Sequence, residues 1–367
     1  MTTIRRFLPK SARRRQMAEG VETSANLGRC QELTDICRCW PSPTSPCSPS
    51  ITDDRAHRLC EAGRLRLRRS TDTSTALARW TALLTAGLVA IAFVFSEGAV
   101  SAPAKAAPQT FRDCPDCPLM TVVPAGRFVI GSPQNEPGRT AQEGPQHNVA
   151  IRHAFAVATY DVSRAEFETF AAEAPNLASG GRCEWRAPKA GGILFDQGPS
   201  DPVVCVSWND AKAFAAWLRR KTGKPYRLLS ESEWEYAARA GSVTARPWGN
   251  EASREFANVG TEPCCGPFAE GRDRWLYTSP AGRFAPNRFG LFDMIGNVWQ
   301  WVEDCASDGY TRAPSHGEAL TSGDCDRHIA RGGSWFHDFT MARSASRVAD
   351  QADFRIADIG FRVARDL

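Results

Sequence analysis

Hydrophobic and polar positions change their period along this chain, and each change marks an element. Met120–Ser132 (MTVVPAGRFVIGS) reads as two short strands around a turn. Three helices follow, each opened by a serine with an acid three residues on, the reciprocal cap that satisfies the first free N–H groups. Ser163-Arg-Ala-Glu166 begins the first, with Phe167 and Phe170 on one face. Ser207-Trp-Asn-Asp210 begins the second, with Ala211, Phe214, Trp217 and Leu218 at helical spacing and Gly223 as its stop. Ser230-Glu-Ser-Glu233 begins the third, with Trp234 and Ala237 inward and Gly241 after it. Beyond Gly241 the periodicity fades into Gly, Pro, Asn and single aromatics, with short strands expected at Gly296–Val302, His328–Trp335 and Gly360–Val363. Helices early and irregular strands late describe one α+β domain over residues 120–367, entered through a linker at 107–119. There is no internal repeat and no glycine-rich nucleotide loop between a strand and a helix.

The front end reads differently. Trp80–Ser96 carries no charge, follows Arg68, Arg69 and Arg79, and precedes Ser101, Ala102, Ala104 and Ala106. A basic flank, a short apolar run and Ala-x-Ala sites predict a secretory signal over 80–106. The run is shorter than the ~20 apolar residues of a membrane span. Membrane attachment is therefore expected only if residues 80–96 stay uncleaved as an anchor. Residues 1–79, rich in Arg, Pro and Ser, read as a disordered basic arm or a mis-assigned start.

Composition narrows the partners. The 367 residues carry a net charge of +4. Residues 1–106 hold 16 Lys/Arg against 9 Asp/Glu, however, leaving 29 against 32 for the rest. A near-neutral main body excludes nucleic acid as an expected partner. Eight of the 13 cysteines follow Ala106, an even number that in an exported chain argues for disulfides. Cys114, Cys117, Cys183, Cys205, Cys305 and Cys325 are the disulfide candidates, with connectivity left open. Cys114-Pro-Asp-Cys117 has redox-motif spacing but lacks a following helix pattern, so a structural bridge is expected. Cys305 and Cys325 flank a loop of about twenty residues, and a bridge closing it contributes about 3 kcal/mol.

Eight segments then occur in a telling order: Phe128–Ser132 (FVIGS), Tyr160–Phe167 (YDVSRAEF), Pro202–Ala211 (PVVCVSWNDA), Tyr226–Gly241 (YRLLSESEWEYAARAG), Pro247–Gly249 (PWG), Pro286–Val302 (PNRFGLFDMIGNVWQWV), Arg331–Trp335 (RGGSW) and Gly360–Arg365 (GFRVAR). Together they resemble the formylglycine-generating enzyme (sulfatase-modifying factor) domain family, over roughly Met120 to Leu367. The resemblance implies a compact α+β fold with few regular elements, related to C-type lectins, and a family that includes enzymes and non-catalytic modules. Its enzymes convert a cysteine to formylglycine with O₂ and copper held by two cysteines shortly after the Gly-Gly-Ser-aromatic motif. Soft thiolates suit Cu(I). Here no cysteine follows Cys325, and His337 stands where the first copper cysteine would be. Copper is therefore not expected. Iron-dependent members take their histidines from a separate helical domain that has no counterpart here.

The resemblance assigns the reaction centre to Ser334, Trp335 and His337, with Ser334 as a donor to an oxygen. It also implies two calcium sites. The first maps onto Asn258 and Asp273 with the carbonyls of Val259 and Trp275. The second maps onto Asp293, the carbonyls of Gly296 and Val298, and Gln300. Mixed carboxylate, amide and carbonyl oxygens suit this hard cation, although Gln300 stands where the family often has Glu. The aromatics Trp234, Trp248, Trp299, Trp301 and Trp335 read as core before groove. Glu303 and Asp304, adjacent in a strand, point to opposite faces and make no acid pair.

The expected protein is an exported, periplasmic or cell-envelope accessory, maturation or binding module acting on an envelope protein or a small molecule. Exported members without the cysteine pair include a maturation factor for a siderophore chromophore. The alternative is an O₂-dependent oxidoreductase, oxidising a protein cysteine or a small molecule, with a site rebuilt around His337.

Overall fold

A computed structural model describes residues 107–174, 183–261 and 270–367. The expectations for residues 1–106, and the pair Cys264-Cys265, lie outside them. The described strands are β1 (Thr110–Phe111), β2 (Met120–Val123), β3 (Gly126–Ile130), β4 (His147–Ile151), β5 (Phe155–Ala158), β6 (Lys189–Ala190), β7 (Ile193–Leu194), β8 (Tyr226–Leu228), β9 (Trp299–Ala306), β10 (Asp324–Arg331), β11 (Arg347–Gln351), β12 (Ile359–Phe361) and β13 (Val363–Asp366). The helices are α1 (Arg164–Glu173), α2 (Trp208–Thr222) and α3 (Glu231–Arg239). The class is α+β. No described helix is long and apolar enough to cross a membrane.

Three helices start where their capping serines stand. Ser163, Ser207 and Ser230 each accept the N–H of the acid three residues on, and each acid accepts the serine N–H in return. Gly223 ends α2 in the left-handed region, at φ +68°. Helix α3 stops one residue before the expected glycine: Ala240 itself takes the left-handed cap, at φ +46°.

Two sheets organise the domain. One runs β1-β2-β5-β13-β8, the other β11-β10-β9-β12, and β3-β4 and β6-β7 form separate two-stranded pairs. Thus β2 and β3, neighbours in sequence, do not pair with each other. The expected strand at 360–363 is really two. Gly360 pairs in parallel with Gln300 of β9, whereas Val363 pairs with Leu228 in the other sheet. The chain crosses between sheets at Arg362, which is fully buried.

Strand ends also moved for a backbone reason. Gly296 and Asn297 have φ of +80° and +62°, so β9 begins only at Trp299. Gly332 and Gly333 have φ of +104° and +78°, so β10 ends at Arg331 rather than at Trp335. A Cβ at Gly333 would meet Ala342 Cα at 2.7 Å, which explains why that turn carries glycine.

The six described cysteines form three bridges: Cys114–Cys117, Cys183–Cys205 and Cys305–Cys325. The last joins β9 to β10 and closes the loop foreseen from its spacing. Phe167, Phe170, Phe214 and Phe361 pack ring against ring beneath α1 and α2.

Candidate functional site

The glycine pair after β10 turns the backbone inward and leaves Ser334 with no exposed surface. Its Oγ lies 2.7 Å from Asp358 Oδ2 and 2.9 Å from His337 Nδ1. Asp358 sits just ahead of β12, and its carbonyl accepts the N–H of Trp299 at 2.8 Å, which locks the start of β9 beside it. His337 is one short turn beyond Ser334, its N–H on the Ser334 carbonyl at 3.2 Å and its own carbonyl accepting from Gly260 N–H at 2.9 Å. The imidazole is 22% exposed and the Asp358 side chain 7%. One polar cluster therefore joins buried interior to surface.

Proton counting defines its chemistry. The Trp299 indole Nε1–H, a donor only, points at His337 Nδ1 across 3.2 Å. A neutral imidazole accepting there carries its proton on Nε2, the nitrogen on which no described hydrogen bond falls. With the one Nδ1 lone pair taken by the indole, the Ser334 hydroxyl donates to Asp358 Oδ2. When the imidazole is protonated on Nδ1 as well, that N–H reaches Ser334 Oγ and links His337 to Asp358, whose atoms are 3.5 Å apart. The arrangement is a short proton relay with a donor, Nε2–H, at its outer end. That tautomer offers a ligand a hydrogen-bond donor and leaves Nε2 no lone pair for a metal.

Trp335 has another task. Its indole donates to Ala357 O at 3.1 Å, and its ring packs on Tyr277, Phe195 and Phe336. It backs the site from the core. Trp301 and Trp234 are likewise buried, donating to Val206 O and Gln300 Oε1. Asp358 and the indole of Trp299 were missed as site residues. Asp358 stands 24 residues from Ser334, and only its place two residues ahead of Gly360-Phe-Arg hinted at it.

The other histidines do not converge. His328 stacks on Trp208 with centroids 3.6 Å apart, and burial lowers its pKa. His147 packs edge-on to Tyr310, while His153 and His316 line a separate cleft. Among the described residues no group of three His, Cys, Asp or Glu is placed to hold a metal. Glu303 and Asp304 face apart as expected. Glu303 meets Lys212 at 2.5 Å, and Asp304 accepts Glu231 N–H at 2.7 Å.

The two mapped calcium sites differ. At the first, Asn258 is buried with its Nδ2 on Tyr277 O at 2.8 Å and its Oδ1 without a partner. Asp273, with no exposed surface, accepts Val259 N–H at 3.0 Å, and burial pushes its carboxyl up to about 7. An orphaned amide oxygen and a desolvated carboxylate fit a hard cation. At the second, Gln300 Oε1 accepts from both Trp234 Nε1 at 2.7 Å and Arg362 Nε at 2.8 Å. Its Nε2 donates to Asp293 O at 3.0 Å, and Asp293 Oδ2 accepts Gly282 N–H at 2.7 Å. Both lone pairs of Oε1 are used and a guanidinium stands beside them, so this set does not fit calcium.

Residues 105–367 match the "Sulfatase-modifying factor enzyme 1-like domain" family. The formylglycine-generating enzyme of Thermomonospora curvata is 32% identical over 292 residues, covering 67% of this chain and 93% of that protein. The inactive C-alpha-formylglycine-generating enzyme 2 of Bos taurus is 30% identical, covering 67% and 87%. Among solved structures, PvdO from Pseudomonas aeruginosa superposes with a TM-score of 0.63 at 41% identity, covering 72% of this chain and all of that one.

Proposed function

Because the chain belongs to the sulfatase-modifying factor family, whose fold is carried by proteins named as active and as inactive, we propose that it is an exported maturation factor working without a copper dithiolate. It binds a small molecule or a segment of an envelope protein beside His337 and moves a proton there. The observation that carries this reading is Ser334 held between Asp358 and His337. His337 Nε2–H donates a hydrogen bond to the bound group. With a second proton on Nδ1 the imidazolium gives its Nε2 proton to that group, its charge stabilised through Ser334 by the Asp358 carboxylate. Three disulfides support export, since such bridges persist in oxidising compartments. The leader read at residues 80–106 supports it too. Calcium at Asn258 and Asp273 belongs to the same reading. Bound there, it would stiffen the segment that reaches Gly260, the residue donating to the His337 carbonyl.

The rival is an O₂-dependent oxidoreductase, favoured by the position of His337 at the family's reaction centre. Metal analysis of the purified protein with an oxygen electrode separates the two. Calcium alone, with no oxygen uptake on a cysteine peptide, is the expected result. One copper or iron per chain, lost in His337→Ala, overturns the proposal.

A further inference from the structure

A cavity of about 410 Å³ opens next to the His337 loop, walled by Arg246, Asn250, Arg254, Gly260, Asp338 and Phe339 among others. It adjoins the site through the backbone: Gly260, in its wall, donates to the His337 carbonyl, and Asp338 is the next residue in the chain. Its size lies in the range of small-molecule pockets.

Arg246 is the unusual member. It is 5% exposed. Its guanidinium donates to three backbone carbonyls: Ala342 at 3.0 Å, Asn250 at 3.1 Å and Phe339 at 2.5 Å. No carboxylate pairs with it among the described residues. Those bonds use three of its five N–H groups and leave two. Burying a charge without a paired carboxylate is costly. That cost, with the positive field of Arg343, outweighs the opposing fields of Glu136 and Asp338 and pushes the Arg246 pKa down to about 10. The neighbouring Arg343 is already matched by Glu136 and Glu143, each at 2.6 Å. Arg254 faces the same cavity, and the one acid on its wall is Asp338. The Phe339 ring lies under Arg246, 4.9 Å from its guanidinium carbon.

We infer that this cavity binds the carboxylate of an aromatic ligand, with Arg246 supplying the missing counter-charge and Phe339 the apolar surface. The inference rests on the reading of His337 for its place in the reaction: the carboxylate end sits here and the reacting end beside Nε2.

The test measures binding rather than turnover, so it stands apart from any failure of the proton relay. Calorimetric titration compares 4-hydroxyphenylacetate with the neutral 4-hydroxyphenylacetamide. The carboxylate should bind roughly tenfold tighter, the scale of one charge-assisted hydrogen bond. In folded Arg246→Gln the two should bind alike. Asp338→Asn keeps the Oδ1 that accepts from Thr340 N–H at 2.9 Å. It should tighten the carboxylate about twofold to threefold, as loss of a partly exposed like charge does, and leave the amide unchanged. Equal binding of the two compounds overturns the inference. So does discrimination that survives Arg246→Gln, or, if that variant does not fold, an unchanged ratio in Asp338→Asn.

Discussion

A serine hydroxyl has one proton, and at Ser334 it goes to Asp358 because the lone pair of the neighbouring imidazole is already taken. The imidazole's tautomer is set by the Trp299 indole, which can only donate. Nitrogen-15 spectra of His337 should therefore show the Nε2-protonated tautomer at neutral pH. Trp299→Phe should let the Nδ1 form appear, whereas a role for Trp299 in packing alone would leave the tautomer as it was. His328 shows burial acting the other way. Its folded pKa lies below the ordinary 6.5 because the ring is desolvated between Trp208 and the core. The unfolded chain thus binds the proton more readily, so the stability from the neutral ring is present above pH 6.5 and is lost as the pH falls below it. Buried acids such as Asp273, pushed up to about 7, act in the opposite direction over this range. The test is therefore the difference between the wild-type and His328→Phe urea midpoints, which should shift against the wild type as the pH falls from 7.5 to 5.5.

Helices and strands were legible to different degrees. A capping box is written in four consecutive residues and needs no distant partner, so the starts of α1, α2 and α3 could be read directly. Ser207→Ala should lower stability by about 1 kcal/mol, and thermal melts should show it. Strand ends depended on turns whose dihedral angles no pattern displays. Gly332 and Gly333 look like the middle of a strand flanked by Arg331 and Trp335, yet their positive φ ends β10 there and aims Ser334 inward. Gly333→Ala should cost about 1–3 kcal/mol for the left-handed backbone, and should also disturb the site, since Ala342 leaves no room for the new Cβ.

At the scale of the molecule, buried arginines tie distant segments together. Arg331 meets Glu231 at 2.9 Å and also pairs with Glu235, joining β10 to α3, and none of its surface is exposed. Arg331→Met should cost about 1.5–3 kcal/mol, the scale of hydrogen bonds to charged groups, because Glu231 keeps Arg347 at 2.7 Å and Glu235 keeps Arg239 at 2.8 Å. Arg362 meets Asp161 at 3.0 Å as well as Gln300 where the chain changes sheets. That network predicts a calcium count of one. Chelation should lower the melting temperature, Asp273→Asn should abolish the response, and equilibrium dialysis should find a single ion per chain. Two ions would show that Gln300 and Arg362 rearrange to admit the second.

Family, class and helix starts were decided by the sequence itself, because short motifs and local caps carry them within a few residues. The absence of a cysteine after Cys325 belongs to the same level, since it needs no geometry to be noticed. Tertiary structure alone decided that Asp358 joins Ser334 and His337, that Trp299 holds the imidazole's tautomer, that Gln300 is saturated by Trp234 and Arg362, and that Arg246, facing a cavity, hydrogen-bonds no carboxylate among the described residues. Each of these is a contact between segments far apart in the chain. Such contacts are chosen by the packing of two sheets and by glycine turns, and a linear pattern records neither.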